Sequence, residues 1–444
     1  MGGLIHSPTA VINRVAGDRS SVVGYHRFLK NESVNYELIM ESHYAYLSQK
    51  VSGTDLICVQ DTTEYNYQHH SGLFKGGELG TISNGTSLGL RVHPMLVMDA
   101  ADGFAYGLSS LQILNRKGQT QDKHERKYNT LPIEEKESHR WLLAIEESKK
   151  RLSKAASLTF VSDRESDIYQ LWSRIPDERT HLVIRSSFLR KFTDQESQTE
   201  ITPSSALILL GQTKIKLSAR AETRTKSREA LLEVSVQQVW TLKPATLKQQ
   251  KNNHDPDRIA LTMVAVKELI PPDSEITDPV VWFLLTDLSV NSLEEALKVV
   301  DTYKKRWHIE QMFRLSKQKG FNLEESQLER ACSLQNLIAL VLIAAIRIYQ
   351  MVSSRDNQDR QGADIFDQDE LEVLETLKPG LEGRTERSKN KNKPYTLAYY
   401  LWMIARLGNW KPEDRDPPGP ITFRRGWETL EKYRRVAVLY SPPG

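Results

Sequence analysis

Tyr303-Lys304-Lys305-Arg306-Trp307-His308-Ile309-Glu310, running on to Lys317, carries four polar side chains in the pattern Tyr-x2-Arg-x3-Glu-x6-Lys. At about 100° per residue on an α-helix, these four fall within an arc of roughly 60°. One helix face would then present a phenol, a guanidinium, a carboxylate and an ammonium together. A carboxylate can bind a hard metal ion, and three donors around it can hold phosphate oxygens. An exposed helix with ordinary i,i+3 and i,i+4 charge pairs has the same spacing. Two segments far upstream bear on the choice.

Both segments are short apolar runs that close on an acid: Leu56-Ile57-Cys58-Val59-Gln60-Asp61 and Leu158-Thr159-Phe160-Val161-Ser162-Asp163. Such runs suit buried strands. Strand ends in an α/β sheet are where ligands and catalytic groups collect. Two carboxylates on neighbouring strand ends, with a third from a packed helix, can hold two divalent ions for an in-line displacement at phosphorus. Singly, each aspartate reads as a turn or cap residue, before Thr62-Thr63 and before Arg164-Glu165. Together with the helix they form a constellation that capping does not explain.

The rest of the chain supports a mixed α/β protein. Its 444 residues allow two or three domains, or one core with a large insertion. With 39% hydrophobic and 26% charged residues the composition is that of a soluble globular protein. The longest apolar run, Leu337 to Ile346, is closed by Arg347 and is too short to span a bilayer, so it reads as a buried helix. The N-terminus has no positive segment followed by an apolar core, so no secretory signal is expected. The two cysteines, Cys58 and Cys332, lack metal-ligand spacing and suit a reduced, cytoplasmic setting.

Net charge is only +3, too mild to argue nucleic-acid binding by itself. Basic residues are grouped, however. Lys214, Lys216, Arg220, Arg224, Lys226 and Arg228 form one stretch; Arg384, Arg387, Lys389, Lys391 and Lys393 form another. Helical spacing is expected over 20–30, 33–50, 134–152, 166–175, 292–318, 332–353, 370–377 and 427–439. Strands are expected over 56–61, 88–98, 104–112, 158–163, 181–185, 230–242, 259–269 and 280–286. His69 and His70 are adjacent and lack helical metal spacing. His308 points away from the Glu310 face, and Glu165 and Asp167 suit supporting ion pairs better than ligation.

On these motifs the chain resembles the DDE-class insertion-sequence transposases with the Tyr-Arg-Glu-Lys signature. The resemblance rests on Gln60-Asp61-Thr62-Thr63, on Ser162-Asp163-Arg164-Glu165-Ser166-Asp167 and on Tyr303 to Lys317, in that order. Weaker matches are Ile404 to Gly408 and Gly426 to Leu430. It implies an RNase H-like mixed α/β core interrupted by a β-rich insertion. The intervals are 163 − 61 = 102 and 310 − 163 = 147 residues. The organisation it implies is a helical DNA-binding region over 1–50, core over 51–180, insertion over 181–286, core again over 287–355, and a C-terminal dimerisation region over 356–444.

The implied activity is cutting and joining of transposon ends by phosphoryl transfer, through a DNA hairpin. The implied triad is Asp61, Asp163 and Glu310, holding two Mg²⁺ or Mn²⁺ ions. Tyr303, Arg306 and Lys317 would hold phosphates near the scissile bond. Trp282 matches an aromatic that stacks on an extruded base, and Arg185 an arginine near the DNA strand; a core Trp and a strand-end ion pair are the alternatives. The implied partners are double-stranded DNA and a second copy of the chain, with 427–439 as the pairing helix, in a bacterial cytoplasm at the nucleoid and with no membrane. An N-terminally shortened inhibitor, acting by dimerisation without catalysis, is the rival reading.

Overall fold

Leu56 to Val59 is apolar without alternation because the strand β1 (Asp55–Gln60) is buried on both faces. Its Ile57 and Val59 join one core cluster, while Leu56 and Cys58 join another on the opposite side of the sheet. The computed structural model describes residues 9–16, 18–74, 77–116, 131–188, 190–205, 207–217, 227–250, 253–270, 276 and 278–440. The basic residues Arg220, Arg224 and Lys226 lie outside these.

Among the described residues three helices come first: α1 (Ile12–Val15), α2 (Arg19–Lys30) and α3 (Tyr36–Lys50). Asp18 and Asn35 cap the latter two by accepting from Ser21 N and Leu38 N. After β1 the strands are β2 (Thr63–Asn66), β3 (Gly89–Asp99), β4 (Ala105–Leu114), β5 (Ser157–Ser162) and β6 (Thr180–Arg185). Then follow β7 (Phe192–Asp194), β8 (Glu200–Ile201), β9 (Ile208–Leu217), β10 (Arg228–Leu242), β11 (Arg258–Glu268) and β12 (Val281–Thr286). All twelve join one sheet, in the order β2-β3-β1-β5-β6-β12-β11-β10-β7-β8, with β4 on β3 and β9 on β10.

β1, β5 and β6 are parallel neighbours within the sheet. The remaining ladders are antiparallel. The β-rich stretch between 181 and 286 is stitched into this sheet through β12, which pairs with β6 on one side and β11 on the other. β9 was not expected from sequence. Its Lys214-Ile215-Lys216-Leu217 alternates as a half-solvated strand should, though its lysines also make it part of a basic run.

Helices cover both faces. α4 (His139–Arg151) and α5 (Tyr169–Arg174) bring Trp141, Leu142, Ile145, Leu171 and Trp172 to one cluster. The short α6 (Ala245–Lys248) follows β10, and α7 (Leu293–Lys304) and α8 (Trp307–Arg314) follow β12. α9 (Ala331–Ser353) is the central helix of the other cluster. It extends the apolar run of 337–346 to 23 residues, long and apolar enough to cross a bilayer by length and composition. That corrects the expectation of no such segment; 72% of its most apolar window is nevertheless buried inside the fold, as in a core helix.

The chain closes with α10 (Gln368–Leu381), α11 (Leu397–Leu407) and α12 (Pro420–Tyr440). α12 begins seven residues before the expected 427 because Pro420 suits a first helical turn. α11 and α12 cross at two glycines. A Cβ on Gly426 would overlap the Ile404 carbonyl oxygen, and one on Gly408 would overlap that of Thr422. The weak sequence matches around 404–408 and 426–430 thus mark a close backbone contact.

Candidate active site

Parallel pairing sets the two aspartates level. Val59 of β1 is opposite Val161 of β5, so Asp61 and Asp163, each two residues on, leave the sheet side by side. Asp61 stands where the ladder along β3 is interrupted. β1 pairs with β3 up to Gln60↔Met95, and β2 resumes at Thr63↔Val92. Asp61 and Thr62 therefore face the His93-Pro94 step, where Pro94 brings no N–H to a ladder. The side chain of Asp61 accepts from Thr62 N at 2.7 Å, and that of Asp163 accepts from Glu165 N at 2.9 Å.

The third carboxylate arrives on α8. α7 forms because Ala296, Val299, Val300 and Tyr303 recur at helical spacing and are buried. Ser292 caps its start, and Glu295 reaches back to Asn291 N at 2.7 Å. At Lys305-Arg306 the helix gives way to i→i+3 bonding: Lys305 N to Thr302 O, Arg306 N to Tyr303 O, His308 N to Lys305 O. Residues three apart eclipse in such a turn, which sets Arg306 over Tyr303. α8 then starts and carries Glu310 in its first turn.

Arg306 links the parts. It donates to Asp61 Oδ2 at 3.0 Å and to Glu310 Oε1 at 2.6 Å. The three side chains are 18%, 20% and 28% exposed in that order, a mostly dry site open on one side. Burial raises the Asp61 carboxyl to about 6; Arg306 opposes this, while the charges of Asp163 and Glu310 add to it. Asp61 therefore senses the charge of both other acids. Burial works against the charged form of Arg306, but Tyr303, Glu310 and Asp61 together raise it above its usual range. Tyr303 is raised too, chiefly by burial, and feels Arg306, Arg185 and Asp163.

Among the described residues no three His, Cys, Asp or Glu side chains stand close enough to hold a metal ion together. Asp61 and Glu310 share the Arg306 guanidinium instead.

Trp282 of β12 is half-buried, and its ring meets that of Tyr303 edge-on, with centroids 5.5 Å apart. Arg185 ends β6 and donates to Val281 O at 3.2 Å. Lys317 follows Glu310 by seven residues. It lies in a π-helical turn, Leu315–Lys319, with its ammonium 5.5 Å from the Tyr65 ring and near Glu324 and Glu64. The wider turn rotates it off the regular helical face that the spacing of the sequence suggested.

His308 bonds Tyr349 on α9 and does not face the acids. Asp167 is buried in an ion pair with Arg190 and accepts from Trp172 Nε1 at 3.0 Å.

Two residues at the site were not singled out from sequence. His93 is fully buried, with Nε2 against Gln60 Oε1 at 3.1 Å and Nδ1 against Thr62 Oγ1 at 2.9 Å. Burial, with the charges of Arg140 and Arg91, holds its imidazole neutral well below the usual range. Arg140 is 7% exposed, opens α4, and reaches both Thr62 and Glu165. Neither has a spacing that points to the site, because each is recruited by partners distant in sequence.

Residues 134–347 match the family described as Transposase DDE domain. The matched span includes Asp163, Arg185, Trp282, Tyr303, Arg306, Glu310 and Lys317; Asp61 lies before it. Over this span the chain is similar to that family.

Proposed function

We propose that this chain, with a transposase DDE domain as its catalytic part, cuts and joins DNA ends by metal-dependent phosphoryl transfer, with Asp61, Asp163 and Glu310 as the metal-binding carboxylates. The observation that carries the reading is the Arg306 bridge between Asp61 and Glu310, beside an Asp163 held level with Asp61 by β-sheet register. The fit is one of donor chemistry: three carboxylates are the oxygen ligands that hard divalent cations take. Two of them already share a cation, the guanidinium. Bound between these acids, Mg²⁺ or Mn²⁺ would supply Lewis-acid activation of the attacking and leaving oxygens.

The chain's own groups then have separate tasks. The three acids hold negative charge at the mouth of the sheet. Arg306 has a planar fork of donors that serves carboxylate or phosphate equally well, so on DNA it passes from the acids to a phosphate oxygen. Tyr303 supports Arg306 from below and Trp282 from the side. In the finer reading, the freed 3′-hydroxyl attacks a phosphodiester of the opposite strand, whose P–O bond to the flanking DNA breaks and releases that flank with a 3′-hydroxyl, to give a hairpin, and Trp282 stacks on the base that this bend extrudes. Lys317 and Arg185 hold backbone phosphates to either side. A dimer on two ends, paired through 427–439, completes the reading.

The test is a labelled duplex that carries the inverted repeats flanking this gene, incubated with Mg²⁺. The wild type should nick it. Asp163→Ala and Glu310→Ala should bind the duplex in a bandshift but leave it intact. Nicking that needs no metal, or variants that nick as fast as wild type, would refute the assignment.

A further inference from the structure

Arg140 lies in the first turn of α4, outside the three acids and their basic helix. Its own backbone is fixed: Gln112 Nε2 donates to its carbonyl at 3.0 Å. Its guanidinium lies 5.3 Å from the Trp141 ring and spreads three ways. Nε donates to Thr62 Oγ1 at 3.1 Å, Nη1 to Glu137 O at 2.9 Å, and Nη2 to Glu165 Oε2 at 3.0 Å. Thr62 directly follows Asp61, and its N–H holds the Asp61 carboxylate. Glu165 is two residues past Asp163, and its N–H holds the Asp163 carboxylate. One buried side chain thus spans the two loops that carry the acids, through 78 and 25 residues of sequence separation.

The contact has a direction. Because Gln60 Oε1 can only accept, His93 Nε2 carries the hydrogen, and Nδ1 of the neutral ring then accepts from the Thr62 hydroxyl, whose oxygen accepts from Arg140. Residues 60 and 62, on either side of Asp61, are thereby anchored to β3 and to α4 at once. The sheet ladder is interrupted between Gln60 and Thr63, so side chains replace the missing backbone bonds.

We infer that Arg140 is a positioning residue that sets the separation of Asp61 and Asp163 by tying their two loops together. The inference rests on the proposed function, since spacing matters only if the two acids share a ligand. Groups that orient metal-binding carboxylates in this way typically change metal affinity by about 10–100-fold when removed. Lysine cannot replace the arginine, because a single ammonium lacks the fork that reaches both loops.

The experiment titrates the full chain with Mn²⁺ alone, reading free Mn²⁺ by electron paramagnetic resonance. Circular dichroism and a metal-free bandshift accompany each variant. Arg140→Lys and Arg140→Ala should weaken Mn²⁺ binding about 10–100-fold while DNA affinity holds. Glu165→Ala and Thr62→Val each remove one arm without emptying the guanidinium site. They should weaken Mn²⁺ binding by a smaller factor in the same direction, and they decide the matter if the Arg140 variants do not fold. Raising Mn²⁺ should restore nicking in every folded variant. Wild-type affinity in the folded variants would overturn the positioning role alone. A wild type that takes up no Mn²⁺ would overturn the metal-binding reading of the three acids, and this inference with it.

Discussion

Asp61→Asn should stabilise the metal-free protein relative to wild type, increasingly as pH rises from about 4 to above 6. In the folded chain the Asp61 carboxyl is raised from its ordinary 3.8 to about 6, by burial first and by Asp163 and Glu310 as well. A carboxyl raised on folding favours the folded state while it is protonated. That contribution is full below pH 3.8 and is lost as pH rises through 6. The loss amounts to about 3 kcal/mol, already reduced by the attraction of Arg306. Asparagine keeps the shape and does not titrate.

The gap between variant and wild type should therefore open by about 2–3 kcal/mol between pH 4 and pH 8. For a cooperative chain of this length that is about 2–3 °C in Tm. The assay is thermal unfolding in EDTA at half-unit pH steps, followed by the same series in Mg²⁺. The divalent ion should raise the wild-type Tm above pH 6 and leave Asp61→Asn where it was. A gap that does not change with pH, or an asparagine variant less stable at pH 8 than at pH 4 relative to wild type, would refute the reasoning.

Trp282→Ala should slow hairpin formation about 5- to 150-fold, the range that corresponds to about 1–3 kcal/mol of base stacking, and leave the first nick nearly unchanged in a timed gel assay. Equal loss of both steps would make Trp282 only a packing partner of Tyr303. Gly426→Ala should cost about 1–3 kcal/mol, seen as a lower Tm, because the added methyl meets the Ile404 carbonyl; an unchanged Tm would show that the α11–α12 crossing can open. Nicking by wild type should decline below pH 6, as protonation of Asp61 removes a ligand charge, and a profile flat to pH 5 would argue against Asp61 as a ligand.

Much of the fold was legible in the sequence because local pattern and burial agree there. Leu56 to Gln60 and Leu158 to Ser162 are apolar on both faces and are central strands. The helix read over 332–353 runs from Ala331 to Ser353. The acids at 61 and 163 were visible as strand-end charges, and the structure sets them side by side. What stayed hidden depends on partners far along the chain. Arg306 reaches Asp61 across 245 residues, and Arg140 reaches Thr62 across 78. A buried arginine beside a tryptophan in α4 has no sequence pattern that separates it from a surface one. The π turn at Leu315–Lys319 was equally invisible, since it adds no residue type of its own and only rotates Lys317.

The strand β12 has a mechanical consequence. It carries Trp282 and is zipped to β6 on one edge and to β11 on the other, while β6 is zipped to β5, which ends at the Asp163 loop. No hinge separates the indole from the aspartate, since three neighbouring strands share one hydrogen-bonded weave. A duplex brought to this surface meets an anvil of fixed shape. If the proposed hairpin forms there, its deformation would be borne by the nucleic acid, whose softer base steps, and not any closing jaw of protein, would determine where it yields.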